Sequence, residues 1–123
     1  MSLTISVQES STPTVVLVGR LDTDTAAQLD GALRELLDAP DIARLVFDVS
    51  GLDYLSSAGI RCFIKARKAI EPNGGKVAIV NPQPAVRKVL EIVKAIPGGI
   101  FSSVAELDAY LDAIQRQVRG EDI

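Results

Sequence analysis

The 123-residue sequence carries a formal net charge of −3, and 47% of its residues are hydrophobic while only 4% are aromatic. This length fits one domain around a core of Val, Leu, Ile and Ala, and the negative charge argues against nucleic acid or an anionic membrane as a partner. The single cysteine, Cys62, excludes an internal disulfide, and without histidine the usual zinc sites are excluded, so we expect neither metal nor cofactor.

The chain begins with a predicted β-hairpin. Apolar residues at positions 3, 5 and 7 alternate with polar ones, and the run TVVLVGRLD follows the turn SSTPT. The segment TDTAAQLDGALRELLDA then predicts the first helix, with Thr23 or Asp24 as its N-cap and Pro40 near its end. The apolar positions of this helix are Leu29, Leu33, Leu36 and Leu37.

A strand–helix–strand unit occupies the middle of the sequence. The run RLVFDVS predicts a central parallel strand covered on both faces, and KVAIV predicts the next strand. Between them a helix starts after the serine pair and ends near residues 73–75. In such a unit the serine loop, with Asp53, lies at the carboxyl edge of the sheet. The apolar face of the helix is Ile60, Phe63, Ile64 and Ile70.

Two further helices complete the chain. Pro82 and Pro84 suit the start of the third helix, and IPGGIF ends it. Ser103 and Glu106 predict a capping box at the start of the last helix. The predicted inner faces are Val86, Val89, Leu90 and Val93 for the third helix, and Leu107, Tyr110, Leu111, Ile114 and Val118 for the last.

The predicted fold class is α/β, in the order ββαβαβαα. We expect one domain over residues 1–123, with an ordered core over 3–118 and a frayed tail over 119–123. The mixed sheet has four to five strands, the fifth being a short strand near Ile100, and the helices pack mainly on one face. No apolar run reaches the roughly 20 residues that cross a bilayer, and MSLTISVQES lacks the features of a signal peptide, so we expect a cytoplasmic protein.

The serine pair in VSGLDYLSSAGIR has three readings. A catalytic nucleophile is disfavoured, because Leu55 replaces the glycine that a hydrolase elbow needs two residues before Ser57, and no histidine can act as the base. Ser56 or Ser57 can simply cap the helix. A cap is compatible with modification, because a helix N-terminus tolerates a phosphate electrostatically. A phosphate-binding loop is also disfavoured, since the glycines of PNGGKVAIV precede a strand.

Charged residues near the serines predict a switch. Arg61 lies one turn beyond Ser57 and could pair with a phosphate there, or could simply be solvated. Asp22 and Asp53 lie in loops predicted at the same sheet edge and would repel a phosphate. Phosphorylation would therefore turn a weakly acidic patch strongly anionic, provided that the hydroxyl of Ser57 points outward where a second protein can reach it.

These residues resemble the STAS domain of bacterial anti-sigma factor antagonists. The resemblance spans nearly the whole chain and rests on Gly19, Leu21 and Asp22, on the segment 48–51 that closes the next strand, and on the serine–helix junction ending in Gly59. The commonest antagonist pattern at the junction is Asp-Ser-Ser/Thr-Gly, whereas this chain has Ser-Ser-Ala-Gly.

The resemblance implies partner switching. Unmodified protein would bind an anti-sigma factor that is also a serine/threonine kinase and so release a sigma factor, and phosphorylation of Ser57, less favourably Ser56, would break that complex. We expect a monomer or weak homodimer that is not an enzyme and binds neither nucleic acid nor membrane directly. The alternative is a binding subunit of a transport or stress-signalling assembly. Predicted partner-binding residues are Asp22, Thr23, Thr25, Asp53, Tyr54, Leu55, Ser56, Ile60 and Arg61.

Overall fold

A computed structural model describes residues 2–9, 12–38, 42–95 and 104–120. Its elements follow the predicted order ββαβαβαα, which confirms the mixed α/β fold. The strands are β1 (Leu3–Gln8), β2 (Thr14–Leu21), β3 (Arg44–Leu55) and β4 (Lys76–Val80), and the helices are α1 (Thr23–Leu37), α2 (Ser57–Ile70), α3 (Pro84–Ala95) and α4 (Val104–Arg119). A single 3₁₀ turn, Glu71–Asn73, follows α2.

The four described strands form one sheet in the order β1-β2-β3-β4. β1 runs antiparallel to β2, as the predicted hairpin requires, and the other two pairings are parallel. Gly19 lies where the register of β2 shifts against β3, at a φ of 113°. A Cβ atom here would collide with the carbonyl oxygen of Ser2, so the β1–β2 contact itself requires glycine.

Strand β3 is longer than the sequence predicted. It pairs with β4 only as far as Asp48, but it continues beside β2 to Leu55, which pairs with Leu21. Asp53, expected in a loop, is therefore an exposed strand residue. Beyond Asp48 the edge of β3 that faced β4 has no strand partner among the described residues, so its backbone groups must bind elsewhere.

The core lies mainly on one face of the sheet. Leu45, Phe47 and Val49 of β3 are fully buried there, whereas Val46 and Asp48 on the opposite face are only partly buried. The prediction that β3 is covered on both faces is therefore only half correct. The ring of Phe47 meets Phe63 of α2 edge-on, with the ring centroids 4.8 Å apart.

Three residues assigned to buried helix faces are exposed. Ile64 of α2 and Tyr110 and Val118 of α4 each expose about two fifths of their surface, at 41%, 42% and 40%. Among the described side chains of α4, Leu111 is buried as predicted, and so is the polar Gln115, because this helix packs against backbone as well as apolar groups.

Several sequence predictions lie outside the described residues. These are the break after α3, the short strand near Ile100, Ser103 of the capping box and residues 121–123 of the predicted frayed tail. Helix α4 itself extends through Arg119, the first residue of that tail. Over the described part of the chain, no helix combines the length and hydropathy needed to cross a bilayer.

Gly59 brings the start of α2 close to the ends of β2 and β3. A Cβ atom at Gly59 would lie 2.6 Å from Cγ of Leu21 and 2.8 Å from Cδ1 of Leu55. Both leucines are fully buried. Glycine is required here by close packing, which fixes where the serine pair lies relative to the sheet.

Gly59→Ala should destabilise the protein by about 1–3 kcal/mol, because the added methyl group overpacks the core. The matched control is Gly31→Ala on α1, where a Cβ atom meets nothing within 4 Å. This control should stabilise the protein by about 0.5–1 kcal/mol through helix propensity. Urea unfolding measures both values, and a Gly59→Ala variant as stable as the control would contradict the packing described.

Candidate functional site at the serine–helix junction

Ser56 caps helix α2. Its backbone is extended, at φ −99° and ψ 173°, and its Oγ accepts a hydrogen bond from the N–H of Gly59 at 3.3 Å. The N–H of Ser56 donates to the carbonyl of Leu21 on β2 at 2.9 Å. Of the two serines, Ser56 is thus the structural cap, and its burial follows from these contacts.

Ser57 is the first helical residue, and its hydroxyl is buried. The residue is 3% exposed, and its Oγ has no hydrogen-bond partner among the described residues. The expectation that this hydroxyl points outward is therefore wrong for this conformation. An unpaired buried hydroxyl is unfavourable by about 1–3 kcal/mol, so the arrangement needs compensating contacts nearby.

Helix α4 supplies contacts at this junction. The N–H of Ser57 donates to Oδ1 of Asp108 at 3.0 Å. The side-chain amide of Gln115 accepts from the N–H of Leu55 at 2.8 Å and donates to its carbonyl at 3.0 Å. Arg119 also donates to the carbonyl of Asp53. Helix α4 thus occupies the edge of β3 that none of the described strands covers.

Neither Gln115 nor Asp108 was predicted from the sequence to belong to the site. Gln115 is fully buried although it is polar, and it lies one turn after Leu111, on the same stripe of α4. A polar residue within a predicted inner face was the available signal. Asp108 offered no comparable signal, because its partner Ser57 is 51 positions away in the sequence.

Asp22, and not Thr23 or Asp24, is the N-cap of α1. Its Oδ1 accepts from the backbone N–H groups of Asp24 and Thr25, both at 3.0 Å, while the Thr25 hydroxyl accepts from the N–H of Asp22 at 2.9 Å. The Thr25 hydroxyl also donates to the carbonyl of Arg20 at 2.8 Å. This reciprocal cap buries Thr25 and holds the end of β2 against the start of α1.

Electrostatic contacts at this edge centre on Arg20. Its guanidinium lies 3.0 Å from Oδ2 of Asp22 and 3.6 Å from the ring centroid of Tyr54. Burial alone would raise the pKa of Asp22, but hydrogen bonds from Thr25 and Arg20 outweigh it and lower that pKa. Burial raises the pKa of Tyr54, and the carboxylate of Asp112 on α4 adds to the increase. The edge is thus more acidic than the sequence predicted, because α4 brings Asp108 and Asp112 to it.

The predicted partner-binding residues divide by exposure. Thr23, Asp53 and Arg61 are exposed, and Asp22 is partly buried. The remaining five are buried, namely Thr25, Tyr54, Leu55, Ser56 and Ile60. In this conformation only the first group can contact another protein through its side chains.

The thiol of Cys62 has low reactivity. Cys62 on α2 is 2% exposed, and burial, reinforced by a hydrogen bond to Asp30, raises its pKa to about 12. Thiolate is the reactive form, so this cysteine should react slowly.

Among the described residues, no group of Cys, Asp or Glu side chains is arranged to hold a metal ion.

Comparison with known proteins identifies the family. The STAS domain model matches residues 4–107, so the chain belongs to the STAS domain family, as its residues predicted. A relative from Bordetella bronchiseptica, the putative anti-sigma factor antagonist BtrV, is 34% identical over 76 residues. That match covers 62% of this chain and 65% of BtrV, slightly less than two thirds of the relative's length.

Two solved structures share the fold. An anti-sigma factor antagonist from Mycobacterium paratuberculosis has a TM-score of 0.68 at 24% identity, over 96% of this chain and 95% of that one. The Bacillus cell fate determinant SpoIIAA in its phosphorylated form has a TM-score of 0.59 at 19% identity, over 75% of this chain and 83% of that one. At these identities the likeness confirms the fold alone.

Alanine at the two serines should have opposite effects on stability. Ser56→Ala removes the cap of α2 and should destabilise the protein by about 1 kcal/mol. Ser57→Ala removes a buried hydroxyl that has no partner and should stabilise it by about 1 kcal/mol. Urea or thermal unfolding of the two variants measures both. If Ser57→Ala loses as much stability as Ser56→Ala, the Ser57 hydroxyl makes a hydrogen bond that this conformation lacks.

Proposed function

We propose that this protein is an anti-sigma factor antagonist controlled by phosphorylation of Ser57. Unmodified protein binds an anti-sigma factor serine/threonine kinase in the cytoplasm and releases a sigma factor, and the modified protein dissociates. The observation that carries the proposal is the Ser57 hydroxyl, which makes no hydrogen bond of its own although Ser56 beside it is fully engaged in capping. Family membership and the naming of relatives as antagonists support the same role.

Ser57 suits a phosphate chemically. As the first residue of α2 it lies at the positive end of the helix dipole, where backbone N–H groups favour a negative charge. In the transfer, Oγ of Ser57 forms a bond to the γ-phosphorus of ATP while the bond from that phosphorus to the β–γ bridging oxygen breaks. ADP leaves, and a base on the kinase accepts the hydroxyl proton. The phosphorylated form of SpoIIAA supports a phosphate on this fold.

The proposed docking surface surrounds the start of α2. Its accessible side chains are Asp22, Thr23, Asp53 and Arg61. The five buried residues of the predicted set then act by shaping this surface from beneath. Arg61 follows Ser57 by one helical turn, so we propose that it pairs with the phosphate when the phosphate is present.

Charge gives the switch its direction. A phosphate adds about −1.5 to −2 charges to an edge that already holds Asp22, Asp53, Asp108 and Asp112. Bringing that charge into a protein interface without matched donors is unfavourable by several kcal/mol, enough to dissociate a micromolar complex. The role is regulatory binding, and the protein itself catalyses nothing in this scheme.

The direct test uses the anti-sigma factor kinase of the same organism with ATP. Intact-mass measurement should find one added phosphoryl group in the unmodified protein and in Ser56→Ala, and none in Ser57→Ala. Ser57→Asp should weaken kinase binding at least about tenfold, because it places a charge in the interface. Phosphate on Ser56, or no phosphate with an active kinase, would refute the assignment.

A further inference from the structure

The proposed function meets an obstacle in this conformation. A kinase must bring ATP to Oγ of Ser57, yet that atom is buried. Two groups of described residues contact the junction. One is the apolar core beneath Gly59, made by Leu21 and Leu55. The other is α4, which reaches the junction through Asp108, Gln115 and Arg119.

The contacts made by these two groups differ in how much of the structure is lost when they break. Leu21 and Leu55 are fully buried parts of the sheet core, so exposing Ser57 from that side would disrupt the domain. The contacts of α4 with Leu55 and Ser57 are hydrogen bonds, and water can replace them. Among the described side chains of α4, Leu111 is the apolar one that is fully buried in the core. Opening on the side of α4 therefore exposes less apolar surface than opening through Leu21 and Leu55.

We propose that α4 is a cover over Ser57, and that it must leave the junction before the hydroxyl can be phosphorylated. This inference rests on the proposed function and adds a regulatory step to it. Asp108 is the positioning residue of the closed state, since its carboxylate accepts the N–H at the start of α2. It occupies the place of an anion at the positive end of that helix.

Asp108 also makes the switch two-state. A phosphate on Ser57 would accept a hydrogen bond from the same N–H group that Asp108 binds. Two anions that share one N–H group repel each other. Asp112, one turn further along α4, would add to the repulsion. Phosphorylation and docking of α4 therefore exclude one another, and the modified protein holds α4 away from residues 55–57.

The cover can be tested without any kinase, through the accessibility of a thiol placed at position 57. Ser57→Cys is prepared alone, with Asp108→Ala and, as a matched control, with Asp112→Ala. Asp112 carries the same charge on the same helix, but it pairs with Arg116 at 3.3 Å. Iodoacetamide labels the thiols, and trypsin cleavage after Arg61 separates position 57 from Cys62 for mass spectrometry. Buried Cys62 reports on global unfolding.

Asp108→Ala should speed labelling at position 57 about tenfold, the effect of removing one hydrogen bond to a charged acceptor. Labelling should stay slow in the Asp112→Ala control, and labelling of Cys62 should not change. Equal labelling rates at position 57 in Ser57→Cys and in its two double variants would overturn the proposal that α4 covers Ser57. A labelling rate in Ser57→Cys as fast as that of the protein unfolded in urea would overturn it too.

A second measurement keeps the native serine. Hydrogen exchange at the amide of Ser57 should be about tenfold faster in Asp108→Ala than in Asp112→Ala, and equal exchange would overturn the proposal. The outcomes separate the two proposals. Asp108-dependent labelling in a protein that no kinase modifies would leave the cover and remove the phosphorylation. Phosphorylation of Ser57 with labelling independent of Asp108 would do the reverse.

Discussion

The pair of hydrogen bonds between Gln115 and Leu55 determines how α4 is positioned at the serine–helix junction. Strand β3 runs beyond the end of β4, so the backbone N–H and carbonyl of Leu55 point, on the side away from β2, to an edge that no described strand covers. The amide of Gln115 binds both groups, as a residue of a neighbouring strand would. This contact places α4 along the open edge of β3, which brings Asp108 to the start of α2.

The residues that carry the family resemblance serve mainly to build this junction. Gly19 permits β1 and β2 to meet, and Gly59 permits α2 to approach the sheet. Leu21 is fully buried, and Asp22 caps α1. Such residues position a site without taking part in its chemistry. The chemistry we propose falls on Ser57, whose buried hydroxyl has no hydrogen-bond partner among the described residues.

The fold was predictable because hydrophobic periodicity is a local property of the sequence. The hairpin, the parallel strands and the position of the serines were predictable for the same reason. The N-cap of α1 was not, because Asp22, Thr23 and Asp24 all carry an oxygen that can cap, and only the backbone geometry selects Asp22. The end of β3 was missed because Gly51 and Asp53 resemble a loop, whereas pairing with β2 keeps them in a strand. The burial of Ser57 depends on a helix far away in sequence, which no local pattern encodes.

In this scheme the Ser57 hydroxyl changes between a state covered by α4 and an exposed, phosphorylated state. The most direct test is a structure of the protein carrying phosphate on Ser57, in solution or in crystals. The hydrogen bonds between Gln115 and Leu55 and from Ser57 to Asp108 should both be absent there. A phosphate on Ser57 with α4 still bonded to Leu55 would contradict it.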